Sequence, residues 1–554
     1  MEKIWLKHYP PGVPAEIDWN EYRSIGEMFE ASVKKYHARP AFTNMGKTLS
    51  FDEVELMSRY LGAWLQAKGL VKDTRVAVMM PNCLQYPVAI FGILRAGCVV
   101  VNVNPLYTAR ELEHQLKDSG AEAIVILENF AHVLQDVIAK TPVKHVVVAS
   151  LGDLLGFKGT IVNFVVRHVK KMVPEFDLPG AIRFNAMLAE GAQRELKKVE
   201  VGHEDVAFLQ YTGGTTGVSK GATLLHRNIL AHIEQAVAWE RAFLKEGSPQ
   251  VVITALPLYH IFALTANCLL GLKLGVHDVL ITNPRDISAF VKELAKHKFT
   301  KITGVNTLFN ALLNHPDFAK LDFSALWMSL GGGMAVQKAT ADRWKQVTGC
   351  TLVEAYGLSE TSPGVTINPL DMKEYNGAIG LPFPSTEVMI RGDDGKELPI
   401  GQPGELCVRG PQVMRGYWNR PEETARAIDA QGFFATGDVG VIDEKGYVRL
   451  VDRKKDMIIV SGFNVYPNEV EGVVAMHPGV LECAVIGVPD ERSGEAPKLF
   501  VVKKDPTLTE ADIRKHCEAN LTGYKRPKFI EFRKELPKTN VGKILRRALR
   551  DEGK

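Results

Sequence analysis

Ten consecutive residues, Tyr211 to Lys220, combine three glycines, three threonines, a serine and a lysine. Glycine permits positive φ and lets backbone N–H groups approach an anion closely, while hydroxyls and a lysine add donors and positive charge. An apolar run at 206–210 precedes the stretch and indicates a strand, and a helical pattern follows at 224–238. The composition predicts a phosphate-binding loop, although a plain hydroxyl-rich turn stays open. The loop is not a Walker A motif, which needs Gly-x4-Gly-Lys-Ser/Thr.

Length and composition limit the classes of protein to consider. The 554 residues are too many for one hydrophobic core, so we expect two to four domains. A chain with 46% hydrophobic and 24% charged residues is an ordinary globular protein. Its net charge of +3 gives no global argument for binding nucleic acid, and we expect no such partner. The seven scattered cysteines, none in a Cys-x-x-Cys pair, favour buried thiols in a reducing compartment.

The sequence predicts a cytoplasmic protein. Charged residues occupy the N-terminus where a signal peptide needs an apolar core, and the most apolar stretch, 88–103, is too short and interrupted to span a bilayer. One segment, 157–173, has the pattern of a basic amphipathic helix. It either packs its apolar side on the protein body or lies in a membrane interface, which would make the protein peripheral at the cytoplasmic face of the inner membrane. Its apolar positions are Ile161, Phe164, Val165, Val169 and Met172, and its cations are Arg167, Lys170 and Lys171.

The alternation of helical and strand-like segments predicts an α/β fold. Apolar runs at 75–80 and 123–127 are separated by helical patterns. One helix start is well marked, because Thr108 and Glu111 form a capping box before an apolar series that ends at Gly120. Strands that alternate with helices in this way favour layered α/β subdomains around a largely parallel sheet.

The pattern changes twice in the C-terminal part of the chain. From 377 to 451, short strands alternate with frequent Gly and Pro turns, which predicts a small β-rich subdomain. After 452–456 a compact α+β pattern follows. We therefore predict a large N-terminal domain at 1–451, a hinge at 452–456 and a small mobile α+β C-terminal domain at 457–554.

Five stretches in a fixed order resemble the adenylate-forming superfamily of acyl-CoA synthetases, peptide-synthetase adenylation domains and beetle luciferases. They are 211–220, Tyr356–Thr361, Thr436–Asp438, 452–456 and Pro537–Lys543. Within the superfamily, 256–264 and 452–467 are most similar to bacterial long-chain fatty acid–CoA ligases. The resemblance implies two half-reactions. A carboxylate first attacks the α-phosphate of ATP to give an acyl-adenylate and pyrophosphate, and the thiol of CoA then displaces AMP.

The resemblance also implies where ATP and Mg²⁺ bind. The loop 211–220 would wrap the β- and γ-phosphates, with Thr216 also catalytic, and Glu360 would coordinate Mg²⁺ through oxygen, the ligand that a hard cation prefers. The family commonly has Ser at 213 and Pro at 219, so one hydroxyl is missing here. The residues implied in nucleotide binding are Tyr211, Thr212, Gly213, Gly214, Thr215, Thr216, Gly217, Lys220, Tyr356, Thr361, Asp438 and Arg453.

Individual side chains take different parts in the implied chemistry. Tyr356 would stack on adenine, and Asp438 and Arg453 would bind the ribose hydroxyls, which suit a carboxylate acceptor and a guanidinium donor. Ser359 stands where the family usually has Thr, so the hydroxyl is kept. Lys543 would bridge the attacking carboxylate and the phosphate, where its charge offsets the developing negative charge.

The second half-reaction involves other residues. Lys455 matches the family's hinge, about which the C-terminal domain rotates between half-reactions. The face that then closes the site includes Ser461, Gly462 and Phe463, where glycine would allow a narrow passage for the pantetheine of CoA. Lys498, Lys525 and Arg526 are candidates for the CoA phosphates, with a solvated basic surface as the open alternative.

The segment that matches the acyl-pocket wall favours an apolar acid. No Asp or Glu occurs between 256 and 277, whereas the ammonium group of an amino acid would need an anionic partner. A long-chain fatty acid is therefore the expected substrate. His260 is a candidate catalytic residue that gates the pocket, with a buried core histidine as the alternative. The candidate lining residues are Phe262, Leu264, Val305, Leu308 and Phe309.

Several alternatives stay open at this point. The adenylate could be transferred to a carrier protein, but no carrier domain follows Lys543 and the stretch 452–467 lacks the insertion that resembles acyl-AMP ligases. A luciferase-like oxygenase would use the same adenylation chemistry. A non-catalytic protein that binds fatty acid or nucleotide is a third alternative, against which the complete residue set argues. A homodimer is also open.

Overall fold

The computed structural model describes residues 2–212, 219–244, 248–539 and 541–552. Two large sheets form the N-terminal part, and most of their strand pairs are parallel. In spatial order, the strands of the first are Leu381–Pro382, Gly364–Ile367, Leu352–Gly357, Met328–Gly331, Lys301–Gly304, Val251–Thr254, His277–Leu280, Pro40–Asn44 and Lys47–Ser50. Those of the second are Gly416–Tyr417, Lys220–Leu225, Val206–Thr212, Val99–Asn102, Arg75–Met79, Ala123–Leu127, His145–Ala149 and Ile182–Arg183.

Helices cover both large sheets, which explains the continuous apolar runs in the strands. All five residues of Ala123–Leu127 are buried, as expected for a parallel strand between helical layers. The predicted capping box is present, since Thr108 accepts from the Glu111 N–H and Gly120 ends the helix at φ 64°. The α-helices are Ile25–Tyr36, Phe51–Ala67, Gln85–Arg95, Ala109–Ser119, Ala131–Gln135, Phe157–Phe164, Phe184–Ala192, His226–Arg241, Ile261–Ala263, Leu270–Leu274, Ile287–Leu294, Asn306–Leu313, Lys338–Thr348, Pro421–Ala427, Pro467–Val474, Glu510–Asn520 and Arg546–Asp551.

Two smaller sheets complete the fold. An antiparallel sheet of Glu387–Arg391, Gly404–Arg409, Phe434–Ile442 and Val448–Arg453 forms the β-rich subdomain. The C-terminal sheet contains Phe463–Val465, Ile458–Val460, Gly494–Lys503, Val480–Asp490 and Phe529–Arg533. Its apolar side chains form a core that is separate from the main one. The mixed α/β class with a large N-terminal and a small C-terminal domain is thus confirmed, whereas the hinge boundaries stay a prediction.

The amphipathic segment folds as a helix, Phe157–Phe164, that continues as a π-helical turn, Val165–Val169. The interpretation that it packs its apolar side on the body is wrong. Phe157, Ile161, Phe164, Val169 and Met172 are 53 to 85% exposed. The side that faces the body carries Gly159, Val162 and Val166 together with the polar Asn163 and Arg167.

Other expectations concern the cysteines and the membrane. All seven cysteines are buried and free, as predicted. Among the residues that the structure describes, no helix has the length and apolarity that a transmembrane span requires.

Candidate active site

A cavity of about 1410 Å³ lies where the C-terminal domain meets the carboxyl ends of the parallel strands of the first large sheet. Ligand sites in open α/β sheets commonly occupy this edge. Most of the predicted site residues that the structure describes line this cavity: Tyr211, Thr212, Lys220, His260, Tyr356, Glu360, Asp438, Arg453, Lys455 and Lys543. The loop members Gly213, Gly214, Thr215, Thr216 and Gly217 lie outside the described residues.

Tyr356, Asp438 and Arg453 form one hydrogen-bonded group. The Tyr356 hydroxyl donates to Asp438 Oδ2 at 2.6 Å, and Arg453 Nε lies 3.4 Å from Asp438 Oδ1. Asp438 and Arg453 face each other on adjacent antiparallel strands, which sets this distance. Gly437 before them has φ 74°, a conformation that glycine adopts without strain. Burial raises the pKa of Tyr356, so its hydroxyl stays a donor.

Glu360 lies in the short 3₁₀ turn Ser359–Thr361 and is buried. Its Oε1 accepts from the Tyr417 hydroxyl at 2.9 Å, and its backbone carbonyl accepts from the Met414 N–H. Burial raises the pKa of Glu360, and the hydrogen bond from Tyr417 offsets only part of that rise. A cation placed beside this carboxylate would therefore be stabilised.

The donor set fits Mg²⁺ that is shared with phosphate. No group of three or more His, Cys, Asp or Glu side chains able to enclose a metal occurs within 2–212, 219–244, 248–539 and 541–552. Mg²⁺ commonly takes one or two carboxylates and completes its shell with phosphate oxygens and water. The single carboxylate of Glu360 fits this kind of shell, in which phosphate oxygens and water would supply the other ligands.

Lys543 enters the cavity from a loop of the C-terminal domain. The Lys543 N–H donates to Thr539 Oγ1 at 3.0 Å, and the Gly542 carbonyl accepts from Thr307 Oγ1 of the N-terminal domain at 2.9 Å. A Cβ at Gly333 would lie 3.3 Å from Lys543 Cε, so glycine leaves room for the lysine stem. Burial lowers the pKa of Lys543 to about 8, with a further lowering by Arg453. The ammonium form still prevails at neutral pH.

His260 lies between the polar and the apolar parts of the cavity. Its Nδ1 accepts from the Phe262 N–H at 3.3 Å, which caps the short helix Ile261–Ala263. Burial lowers the pKa of His260 to about 3, and the charge of Lys543 acts in the same direction. The imidazole is therefore neutral beside the lysine, which suits a polar wall group better than a proton donor.

Three predicted nucleotide-binding residues are engaged by other parts of the protein. The Tyr211 hydroxyl donates to Asp118 Oδ2 at 2.7 Å. Lys220 pairs with Glu423 and lies 5.2 Å from the centre of the Tyr417 ring. Thr361 does not line the cavity, because it is fully buried and its Oγ1 accepts from the Leu358 N–H at 3.0 Å. It stabilises the turn that presents Glu360.

The predicted CoA-binding residues lie away from the cavity. Ser461 and Gly462 form the exposed tip of a hairpin with φ values of 50° and 84°. Phe463 is exposed and stacks on Tyr524 at 4.9 Å. The three basic candidates are already partnered: Lys498 pairs with Glu531, Lys525 pairs with Glu469, and Arg526 donates to the Leu521 carbonyl.

The other arm of the cavity is mainly apolar. Of the predicted lining residues only Phe262 contributes, whereas Leu264, Val305, Leu308 and Phe309 belong to the core. Phe309, for example, packs edge-on against Trp344 at 4.7 Å. The apolar walls come from five separate segments: Ala236, Trp239, Ile261, Phe262, Ala266, Leu270, Met328, Leu330, Ile367, Ile379 and Phe383.

Two acidic residues reach this arm from outside 256–277. Glu240 pairs with Lys301, and both side chains are buried. Glu354 accepts from the Tyr375 hydroxyl at 2.9 Å and the Val336 N–H at 3.1 Å, and burial raises its pKa to about 7. The sequence did not place either residue here, because both come from distant segments. Tyr417, Thr307 and Gly333 were missed for the same reason.

The chain belongs to the family of AMP-binding enzymes, whose domain matches residues 29–418 and whose C-terminal domain matches 469–543. The resemblance to adenylate-forming enzymes is thereby confirmed. A long-chain-fatty-acid–CoA ligase of Escherichia coli is 60% identical over 100% of this chain and 99% of its own length. That of Bacillus subtilis is 39% identical over 100% of this chain and 98% of its own.

Solved structures agree with the fold. An anthranilate CoA ligase in complex with anthranoyl-AMP matches with a TM-score of 0.86 at 25% identity, over 97% of this chain and 99% of that chain. ATP-bound MatB from Rhodopseudomonas palustris matches with a TM-score of 0.79 at 29% identity, over 95% and 98%. A 4-coumarate–CoA ligase from Solanum tuberosum, 31% identical over 94% of this chain and 92% of its own, is also similar. The names of these relatives specify different acids, namely anthranilate, 4-coumarate and a long-chain fatty acid.

Proposed function

We propose that the protein is a long-chain fatty acid–CoA ligase that forms AMP. It converts a fatty acid, ATP and CoA into acyl-CoA, AMP and pyrophosphate through an acyl-adenylate. The observation that carries this proposal is the lining of one cavity, which combines Glu360, Asp438, Arg453 and Lys543 with a set of apolar side chains. The names of the relatives from Escherichia coli and Bacillus subtilis support the same reaction.

Charge neutralisation is the main task in the first half-reaction. The carboxylate and the triphosphate repel each other, and negative charge accumulates as the pentavalent phosphorus forms. Lys543 supplies a desolvated ammonium group that attracts both anions. Because the site is buried, this charge is screened less than it would be in water. Because His260 is neutral, it has no acidic proton to transfer to the attacking carboxylate, which therefore stays a nucleophile.

The nucleotide is oriented by the group at the strand ends. Asp438 accepts from the ribose hydroxyls and Arg453 donates to them, while Tyr356 presents its ring to adenine. Glu360 would hold Mg²⁺, which neutralises phosphate charge when bound. The loop 211–220 would hold the leaving pyrophosphate, and this includes the residues from Gly213 to Gly217.

The second half-reaction requires a different closure of the site. We propose that residues 452–456 are the hinge between domains 1–451 and 457–554, with Lys455 as the pivot. Rotation would withdraw Lys543 and bring Ser461, Gly462 and Phe463 towards the adenylate. The hairpin is exposed, and no atom of the described residues comes within 4 Å of a Cβ built at Gly462. Both observations support a face that is open to a second surface.

The apolar arm determines the kind of acid. Burial of each methylene contributes roughly 0.8 kcal/mol, so a chain of about a dozen carbons gains on the order of 10 kcal/mol. Glu240 does not offer a free carboxylate for a substrate ammonium, since Lys301 neutralises it. Both observations favour fatty acids over amino acids.

One assay series tests the reaction. Pyrophosphate release and CoA consumption are measured with acids from acetate to oleate, and we expect kcat/KM to rise steeply with chain length. A rate that does not depend on chain length would contradict the substrate assignment. Pyrophosphate release without CoA consumption would favour an acyl-AMP ligase. Light emission with luciferin and oxygen would favour a luciferase-like enzyme. The absence of any turnover would favour a non-catalytic binding protein.

We also propose that the protein associates peripherally with membranes through the exposed helical segment. Its inner side is fixed to the body by polar contacts: Arg167 donates to the buried Glu128 at 2.9 and 2.8 Å, and Asn163 accepts from the Gly152 N–H at 2.8 Å. Its outer side exposes Phe157, Phe164 and other apolar groups. Exposed Lys158, Lys170 and Lys171 flank these groups, which suits an anionic lipid surface.

Co-sedimentation with vesicles tests this surface. We expect Phe157→Ser combined with Phe164→Ser to reduce binding to phosphatidylglycerol vesicles several-fold, with weak binding to phosphatidylcholine throughout. Val71→Ser, an exposed apolar residue elsewhere, is the matched control and should bind like the parent protein. Unchanged binding of the double variant would refute the proposal. The cytoplasmic location and the homodimer stay predictions.

A further inference from the structure

Arg546 connects the lysine loop to the hinge. It lies three residues after Lys543 and begins the helix Arg546–Asp551, largely buried. Its Nε and Nη2 donate to the two oxygens of Glu471 at 3.0 and 2.7 Å, and Nη2 also donates to Asn468 Oδ1 at 2.5 Å. A guanidinium that is forked in this way has little rotational freedom.

The remaining nitrogen of Arg546 faces two aspartates on opposite sides of Lys455. Nη1 lies 3.3 Å from Asp452 Oδ1 and 3.5 Å from Asp456 Oδ2. Asp456 also pairs with Arg550 at 2.7 Å. Asp452 lies in the strand Val448–Arg453 on the N-terminal side of Lys455, whereas Asp456, Asn468 and Glu471 lie on its C-terminal side.

Asp452 makes a second contact across the hinge. Its side chain is fully buried, and its Oδ2 accepts from the Asn468 N–H at 2.8 Å. That N–H lies in the first turn of the helix Pro467–Val474, where a carboxylate is stabilised by the helix dipole. One carboxylate on the N-terminal side of Lys455 therefore contacts two elements of the C-terminal domain, the helix Pro467–Val474 and Arg546.

We propose that Asp452 is a positioning residue that clasps the C-terminal domain, and with it Lys543, in the arrangement for adenylation. This inference rests on the proposed function, in which the domain rotates about Lys455 between the half-reactions. Rotation separates Asp452 from Asn468 and Arg546, whereas the contacts of Arg546 with Glu471 and Asp456 travel with the domain. The clasp thus favours one of two states and does not touch the substrate.

Loss of the contacts of Asp452 should change the ratio of the rates of the two half-reactions. Asp452→Asn keeps the size of the side chain and removes its charge. We expect it to lower adenylation by about tenfold, within the range of a typical coupling between sites. The conversion of preformed acyl-adenylate and CoA into acyl-CoA should be unchanged or faster, because the domain leaves the first arrangement more readily. The KM for ATP should change little, since Asp438 and Arg453 are intact.

Asp456→Asn is the matched control. It also removes the charge of an acid that faces Arg546, but the side-chain ion pairs of Asp456, with Arg546 and Arg550, do not cross Lys455. We expect a lower melting temperature and an unchanged ratio of the two half-reaction rates. The experiment measures both rates and the melting temperature for the parent protein and both variants.

The outcomes separate the clasp from the proposed function. A lower ratio of adenylation to thioester formation in Asp452→Asn alone supports the clasp. An equal fall in both rates for Asp452→Asn, or the same change of ratio in both variants, overturns it. If the parent protein itself releases no pyrophosphate with fatty acid and ATP, the proposed function fails as well.

Discussion

The two faces of the C-terminal domain differ sharply in their surroundings. The face with Lys543 is buried against the N-terminal domain, where Thr307 contacts Gly542 and Arg546 contacts Asp452. The face with Gly462 and Phe463 is exposed and contacts its own domain. The first therefore belongs to a completed site and the second to a site that still has to form. A single small domain with one buried and one exposed functional face suits an enzyme that performs two reactions in sequence.

The largest effect is expected at the buried face. Lys543→Ala should reduce pyrophosphate release by roughly 10²–10³-fold, because a buried cation that stabilises the developing charge is lost. Conversion of preformed acyl-adenylate into acyl-CoA should continue, since the proposed mechanism assigns the lysine to the first half-reaction. Normal adenylation by this variant would show that the face with Lys543 does not serve the first half-reaction, and the proposed division between the two faces would fail.

The converse substitution tests the exposed face. Gly462→Leu introduces a side chain at φ 84°, which strains the hairpin and obstructs the expected pantetheine passage. We expect thioester formation to fall by about 10²-fold, as for other misplacements of reacting groups. Adenylation should stay near the parent rate. If both half-reactions fell together, the two faces would not be functionally separate.

A smaller effect should appear in the pH dependence. The pKa of Lys543 is lowered to about 8, so the cation is present below that pH and is lost above it. Adenylation should therefore decline by up to about tenfold per pH unit above 8, whereas thioester formation should not decline over the same range. In Lys543→Arg, the decline of adenylation should begin only above about pH 10, since Arg stays protonated. An unchanged decline in that variant would assign the titration to another group.

The smallest effect on catalysis is expected from a change remote from both faces. Asp278 is buried in the first large sheet, and burial raises its pKa to about 7. The folded state then holds a proton that the unfolded state releases near pH 4, so stability falls as pH rises from about 4 to about 7. Asp278→Asn should remove this slope and raise stability by a few kcal/mol above pH 7. Thermal unfolding at pH 5 and pH 8 measures it, with both half-reactions unchanged, and an identical slope in the variant would refute the assignment.

Short motifs identified residues that the fold brings into one cavity. Glu360, Asp438, Arg453 and Lys543 all line one cavity, although more than 180 residues separate Glu360 from Lys543. The spacing within each motif is local, so the sequence could indicate these side chains, whereas their roles in the reaction stay predictions. Thr361 shows the limit of this inference, because its hydroxyl stabilises the turn and does not reach the cavity.

The acyl arm was the least predictable part. A segment with no acidic residue suggested an apolar wall, but Leu264 and Phe309 of the proposed lining lie in the core. The orientation of the helix Phe157–Phe164 was equally inaccessible, since periodicity identifies an apolar side without showing which way it faces. In this helix Gly159 packs against Gly152 backbone to backbone, and the apolar side turns outward.

The sequence by itself determined the layered α/β class, the family and the identity of the charged groups, because local propensities and motif spacing act over short distances along the chain. Only the tertiary structure decided that Tyr417 donates to Glu360, that Lys301 pairs with Glu240 and that Asp452 contacts Arg546. These pairs are distant in sequence and meet through sheet order and domain packing. Their burial then sets the pKa values and the strength of the charges, which no linear pattern contains.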